Sequence, residues 1–154
     1  TDEEVERPMA GDEIVERPSF NATRAVTIRA RSEEIWPWIV QIGVTRAGWY
    51  SYDLLDNLGR PSARRILPQF QNPKAGDVIP MSPDGTQGPY VKDFEQNRWM
   101  LWWDQKGGMS WCWGLYPGAA ALRLEITGDP LPHADRIHRR SDDAQEYAGH
   151  QGAG

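Results

Sequence analysis

The chain has 154 residues, with 22 Asp and Glu against 17 Lys and Arg, for a formal net charge of -5. That length favours one domain with a real core, and cations scattered rather than gathered in a stripe leave no electrostatic footprint for nucleic acid. No apolar run approaches the roughly 20 residues of a membrane span, and the acidic start TDEEVERP lacks the order of a signal peptide, so a cytoplasmic protein without a membrane span is expected.

Residues 1–20 repeat VERP at 5–8 and 15–18 in acidic, proline-rich surroundings, which predicts a flexible N-terminal arm. TRAVTIRA (23–30) alternates apolar and polar residues around Val26 and Ile28, the period of a half-buried strand. Ser32 then offers an N-cap, and Glu33 and Glu34 suit the positive end of a helix. Ile35, Trp36, Ile39 and Val40 give that helix its buried stripe, while Pro37 is expected to kink or restart it. Ser51 to Asn57 reads as a second short helix, stopped near Gly59 and Pro61.

Four β-rich runs follow: AGDVIPM (75–81), QGPYVKDFE (87–95), RWMLWWDQ (98–105) and MSWCWGLYP (109–117). The turn chemistry of Ser82-Pro83-Asp84-Gly85, Glu95-Gln96-Asn97 and Lys106-Gly107-Gly108 separates them, predicting an antiparallel meander. A strand, two short helices and a meander make an α+β layer, a curved sheet whose concave face needs something across it.

Eight tryptophans, at 36, 38, 49, 99, 102, 103, 111 and 113, imply a large aromatic core or an aromatic-walled cavity. Strand alternation places Trp99, Leu101 and Trp103 on one face and Met100 and Trp102 on the other, while Trp111, Trp113 and Leu115 share a face. The single cysteine, Cys112, excludes an internal disulfide framework and a cysteine-built zinc site, and reads as a small buried strand residue. All three histidines, His133, His138 and His150, lie near the C-terminus, so the body holds no Ser-His or Cys-His device and no histidine metal site. Asp53 and Asp56 stand three apart, as paired carboxylates do, but an exposed helix face explains them as well. Asp104 reads as a turn residue or an acid at a cavity rim, and Arg64 and Arg65 as solvated loop cations or holders of an acidic ligand.

The fragments QIG, GWYSYD, DNL, ILP, GDVIPM, RWMLWWD and WCWGLYP together resemble the SRPBCC family of the START/Bet v 1-like superfamily, in its polyketide cyclase/dehydrase-like branch. The resemblance covers roughly residues 8–117 and implies a helix-grip fold: an antiparallel sheet wrapped around a long C-terminal helix, with a hydrophobic ligand cavity between them. This chain departs from that pattern at its end. GDPLPHADRIHRRSDDAQEYAGHQGAG has no apolar face at any period, so the gripping helix is expected to be missing. Codons compatible with residues 141–153, read one base later, can give Leu-Met-Met-Arg-Lys-Ser-Met-Leu-Gly-Ile-Lys-Ala-Arg, an amphipathic helix, which points to a one-base frameshift near Leu124 to Thr127. The expected organisation is therefore an arm at 1–20, an incomplete helix-grip domain at 21–127, and an aberrant, disordered tail at 128–154.

The functional expectation is binding of a small hydrophobic ligand, a lipid, polyketide or aromatic metabolite, impaired in this chain and with no cofactor or metal. Trp49, Tyr52, Trp102, Trp103, Trp111 and Trp113 would line its cavity. An alternative is a cyclase or dehydratase using Tyr52 and Asp53 or Asp104 as proton carriers, and a second is a structural or interaction protein with a solid core.

Overall fold

The structure is a computed structural model that describes residues 7–51, 57–117 and 119–126. Tyr52, Asp53 and Asp56, with most of the helix expected over 51–57, lie outside the described residues, as does the expected tail at 128–154.

The chain enters as strand β1 (Phe20–Thr27), turns into helix α1 (Ser32–Val40), and passes through a long segment whose described residues contain a 3-10 turn at Pro68–Phe70. It then forms β2 (Tyr90–Glu95), β3 (Trp99–Trp103), β4 (Met109–Tyr116) and β5 (Ala119–Ile126). The five strands make one antiparallel sheet in the order β1-β5-β4-β3-β2, so the first strand closes beside the last. The class is α+β. β5 pairs in unbroken register with β1 and β4 up to Ile126, opposite Phe20 and Met109.

Helix α1 begins one residue earlier than a Ser32 cap would place it: Arg31 is the capping position, and the Glu34 carboxylate accepts its backbone N–H at 2.9 Å. That bond, the Arg31 side chain and its charge hold Glu34 below the usual carboxylate range. Pro37 neither breaks nor restarts the helix, which runs on to Val40. The missing N–H removes one bond from a short helix, whereas Trp36, Ile39 and Val40 hold the same turns by burial against the sheet. The run 75–81 is not a strand either. It is an irregular arm with one bridge, Val78 to Tyr90, although Ile79 and Met81 still donate to the carbonyls of Pro89 and Gln87 at 2.8 Å.

Alternation along the strands gives the sheet two different faces. The inner face carries Trp102, Met100, Val91 and Leu115, which pack with Trp36, Ile39, Val40, Ile42 and Ile79. A bulge at Lys92 lets both Val91 and Phe94 join this side, because the extra residue resets the period of two. The outer face carries Leu101 and Cys112, with Trp99 beside them, and is covered by Met9, Ala10 and Ile14.

That cover corrects the expectation of a flexible arm for the described residues near the start. Met9 and Val15 are buried, and the Asp12 carboxylate receives the Arg123 guanidinium at 2.7 Å. Arg123, whose side chain is 7 % exposed, also donates to Thr23 Oγ1 at 3.0 Å and to the Arg7 carbonyl at 2.9 Å. The sequence signal of acidic and proline-rich residues was real, but one buried cation on β5 supplies partners that composition cannot display.

Asp12→Ala leaves a buried guanidinium short of its counter-charge and should destabilise the fold by about 1–3 kcal/mol in urea titrations. The double change Asp12→Leu with Arg123→Met, which removes both charges, should be milder than the single change.

Candidate functional site

Gly43 and Gly48 pair across a tight loop that returns the chain from α1 toward the sheet. Gly48, at φ 86°, has no room for a side chain, since a Cβ would lie 2.8 Å from Ser62 Oγ and 2.9 Å from Asn57 Nδ2. Buried Asn57 then fixes the next residue: its Oδ1 accepts the Trp49 backbone N–H at 2.8 Å while its Nδ2 donates to Ser62 Oγ at 2.7 Å. Trp49 is thereby set over the inner face.

Four indoles meet there. Trp49 stacks on Trp111 with centroids 5.6 Å apart, and Trp111 stacks on Trp113 at 6.0 Å. Trp102 stands edge-on to all three, at 6.2, 5.4 and 5.5 Å. This geometry sets the positive rim of one ring against the negative faces of the others. Trp102 is 0 % exposed, and the indole N–H groups of Trp102, Trp111 and Trp113 are buried with no acceptor in the structure.

Beside this cluster lies an apolar cavity of about 220 Å³, open on one side. Ala25, Val26, Ile39, Trp113 and Ala120 line it, and Arg24 stands in its wall. Val26 is 58 % exposed and no residue of β1 is buried, so the helix side of β1 lacks cover at this point among the described residues. The exposed Arg24 donates through Nη1 to the Thr23 carbonyl at 3.0 Å.

The expected aromatic lining is thus divided. Trp49, Trp102 and Trp111 are spent on one another, and among the described members of the expected group Trp113 alone lines the cavity. Trp103 does not belong with them: alternation turns it to the outer face, where the Lys92 ammonium sits 3.7 Å from its ring centroid. Asp104 is a turn residue, accepting the backbone N–H groups of Lys106 at 3.0 Å and Gly108 at 3.1 Å through Oδ1. Arg64 and Arg65 are exposed. Among the described residues no group of three or more His, Cys, Asp or Glu could hold a metal ion, and no helix is long and apolar enough to cross a membrane.

Sequence reasoning missed Ile39, Val26 and Ala120 as cavity walls. Their signal is Ala120, a small residue paired with Leu115 across β4–β5, which leaves space beside the bulk of Trp113. It also missed Gln41, fully buried at the end of α1. Gln41 Nε2 donates to the Tyr50 hydroxyl and, at 3.2 Å, to the Arg65 carbonyl, while its Oε1 accepts the Leu67 N–H at 2.9 Å. Tyr50 is held there in the left-handed region, at φ 55°, edge-on to Trp38.

Cys112 is buried as expected, and desolvation pushes its thiol up to about 12. Such a thiol carries no nucleophilic chemistry near neutrality. Comparison of the chain with protein-family models, with curated proteins and with solved structures finds no match.

Two outcomes follow from this geometry. Asn57→Ala should lower stability by about 1–3 kcal/mol and alter tryptophan emission, because the partly buried Trp49 N–H loses its acceptor. The second concerns alkaline pH. The folded thiol of Cys112 keeps its proton to about 12, whereas its ordinary value is 9.0, so the folded state holds more protons between these limits. Stability should be full below pH 9 and fall as pH rises through that window. Cys112→Ala should flatten the fall, leaving the smaller part due to Tyr50 and Tyr116, whose hydroxyls burial also raises.

Proposed function

We propose that this protein binds a small hydrophobic molecule, an amphiphile with an apolar body and an acidic end, in the cavity between β1, α1 and β4–β5. One observation carries the reading: a wall built almost wholly of carbon, with a single cation, Arg24, in it. The apolar body would lie along Val26, Ile39, Trp113 and Ala120, and an acidic head would meet the Arg24 guanidinium. An inner face left open among the described residues beside β5 supports an incomplete helix-grip domain of the SRPBCC kind, with the indole cluster as its rigid floor. Of the enzymatic alternative's proton carriers, Tyr52 and Asp53 lie outside the described residues, and Asp104 serves a turn, its Oδ1 accepting two backbone N–H groups. The solid-core reading draws support from the mutual packing of Trp49, Trp102 and Trp111, and it makes the cavity incidental.

Titration with dodecanoate, followed by tryptophan emission and by native mass spectrometry, separates these readings. Dodecanoate should bind saturably, Ala120→Phe should abolish binding while far-UV circular dichroism stays unchanged, and Arg24→Gln should weaken dodecanoate by roughly two- to fivefold but leave dodecanol unaffected. Failure of both dodecanoate and dodecanol to bind the folded chain would favour the solid-core reading.

A further inference from the structure

A second cavity, of about 260 Å³, opens on a different part of the molecule. Arg46, Gln69, Phe70, Asn72, Asp77 and Val78 line it, so its character is polar where the first is apolar. Three separate segments build it. The Gly43–Gly48 loop supplies Arg46, the 3-10 turn and the residues after it supply Gln69, Phe70 and Asn72, and the irregular arm before β2 supplies Asp77 and Val78.

Arg46 is fixed rather than waving in solvent. Its Nη2 donates to the Val40 carbonyl at 2.6 Å, at the end of α1, and its guanidinium carbon lies 4.7 Å from the centre of the Phe70 ring. A guanidinium has five N–H donors, and this one places a single hydrogen bond among the described residues. Its Nε–H is buried without an acceptor in the structure. Burial therefore presses on the charged form, and only the Asp77 carboxylate, acting through space, eases it. Asp77 is itself held by the Lys74 N–H, which donates to Oδ2 at 2.8 Å, and none of the ion pairs among the described residues joins Asp77 to Arg46.

A fixed cation with unplaced donors and a fixed carboxylate thus share one cavity without closing on each other. A simple anion would gain from Arg46 and be repelled by Asp77; a simple cation would meet the reverse. We propose that this cleft is a second binding site, for a small molecule that carries a carboxylate beside a hydrogen-bond donor, of the α-amino acid or α-hydroxy acid class. Its carboxylate pairs with Arg46, its ammonium or hydroxyl donates to Asp77, the Gln69 and Asn72 amides serve its remaining polar atoms, and Phe70 and Val78 receive a short side chain.

Three probes of one carbon skeleton test this by isothermal titration calorimetry on the full chain: L-alanine, propionate and isopropylammonium. L-Alanine should bind at least about tenfold more tightly than either single-charge probe. Asp77→Asn, which keeps an acceptor for the Lys74 N–H, should bring L-alanine down to the level of propionate, and Arg46→Lys should weaken both carboxylates. Equal binding of L-alanine and propionate to the unaltered chain, or L-alanine binding untouched by Asp77→Asn, would overturn the proposal. So would the absence of binding by all three. Dodecanoate binding at the first cavity is expected to be indifferent to Asp77→Asn, which keeps the two sites separable.

Discussion

The structure depends on one constraint, the alternation of side chains along β3 and β4. Met100, Trp102, Trp111, Trp113 and Leu115 must leave the sheet on one side, and Leu101 and Cys112 on the other. Both layers of the molecule follow from this, because each face then has its own apolar surface to cover. A slip of one residue would exchange the faces and leave four indoles without partners. The β2 bulge is the local adjustment that the constraint forces, since without the extra Lys92 the ring of Phe94 would leave the inner side, where it meets Trp36 at 6.1 Å.

The two covers are built by different physics. On the inner face the driving term is burial of large rings, non-directional in strength but made specific by stacked and edge-on geometry. On the outer face a smaller apolar patch is held by a directional device: the Arg123 guanidinium gathers Asp12, Thr23 and the Arg7 carbonyl from segments far apart in sequence. A buried ion pair adds little net stability, but it fixes where the covering chain must lie.

Function, on the reading proposed here, collects where these covers stop. Helix α1 covers the inner face through Trp36, Ile39 and Val40 but leaves Val26 uncovered, and the gap between its last turn and β1 becomes the apolar cavity. The described residues between α1 and β2 have little regular structure, and their backbone polar groups are met by side chains such as Gln41, Asn57 and Gln71. Such a segment can bring charged groups like Arg46 and Asp77 close without pairing them, which regular elements seldom do.

Periodicity and turn chemistry in the sequence determined β2, β3 and β4 nearly to their ends, the start of α1 to within one residue and the burial of Cys112, because these depend on local geometry and on residue type. The separation of Trp102 from Trp103 was also legible, since it needs only the period of two. Which face turns inward was not, because that is settled by what packs across the sheet. Tertiary structure alone decided that Pro37 stays within a helix, that residues 75–81 make one bridge rather than a strand, and that an acidic, proline-rich start folds onto the outer face. It likewise decided that three expected cavity tryptophans fill one another's space. The reason is common to all of these: the deciding partner, a ring, a guanidinium or a buried amide, lies too far along the chain for local pattern to register, and burial against it outweighs the propensity that the pattern records.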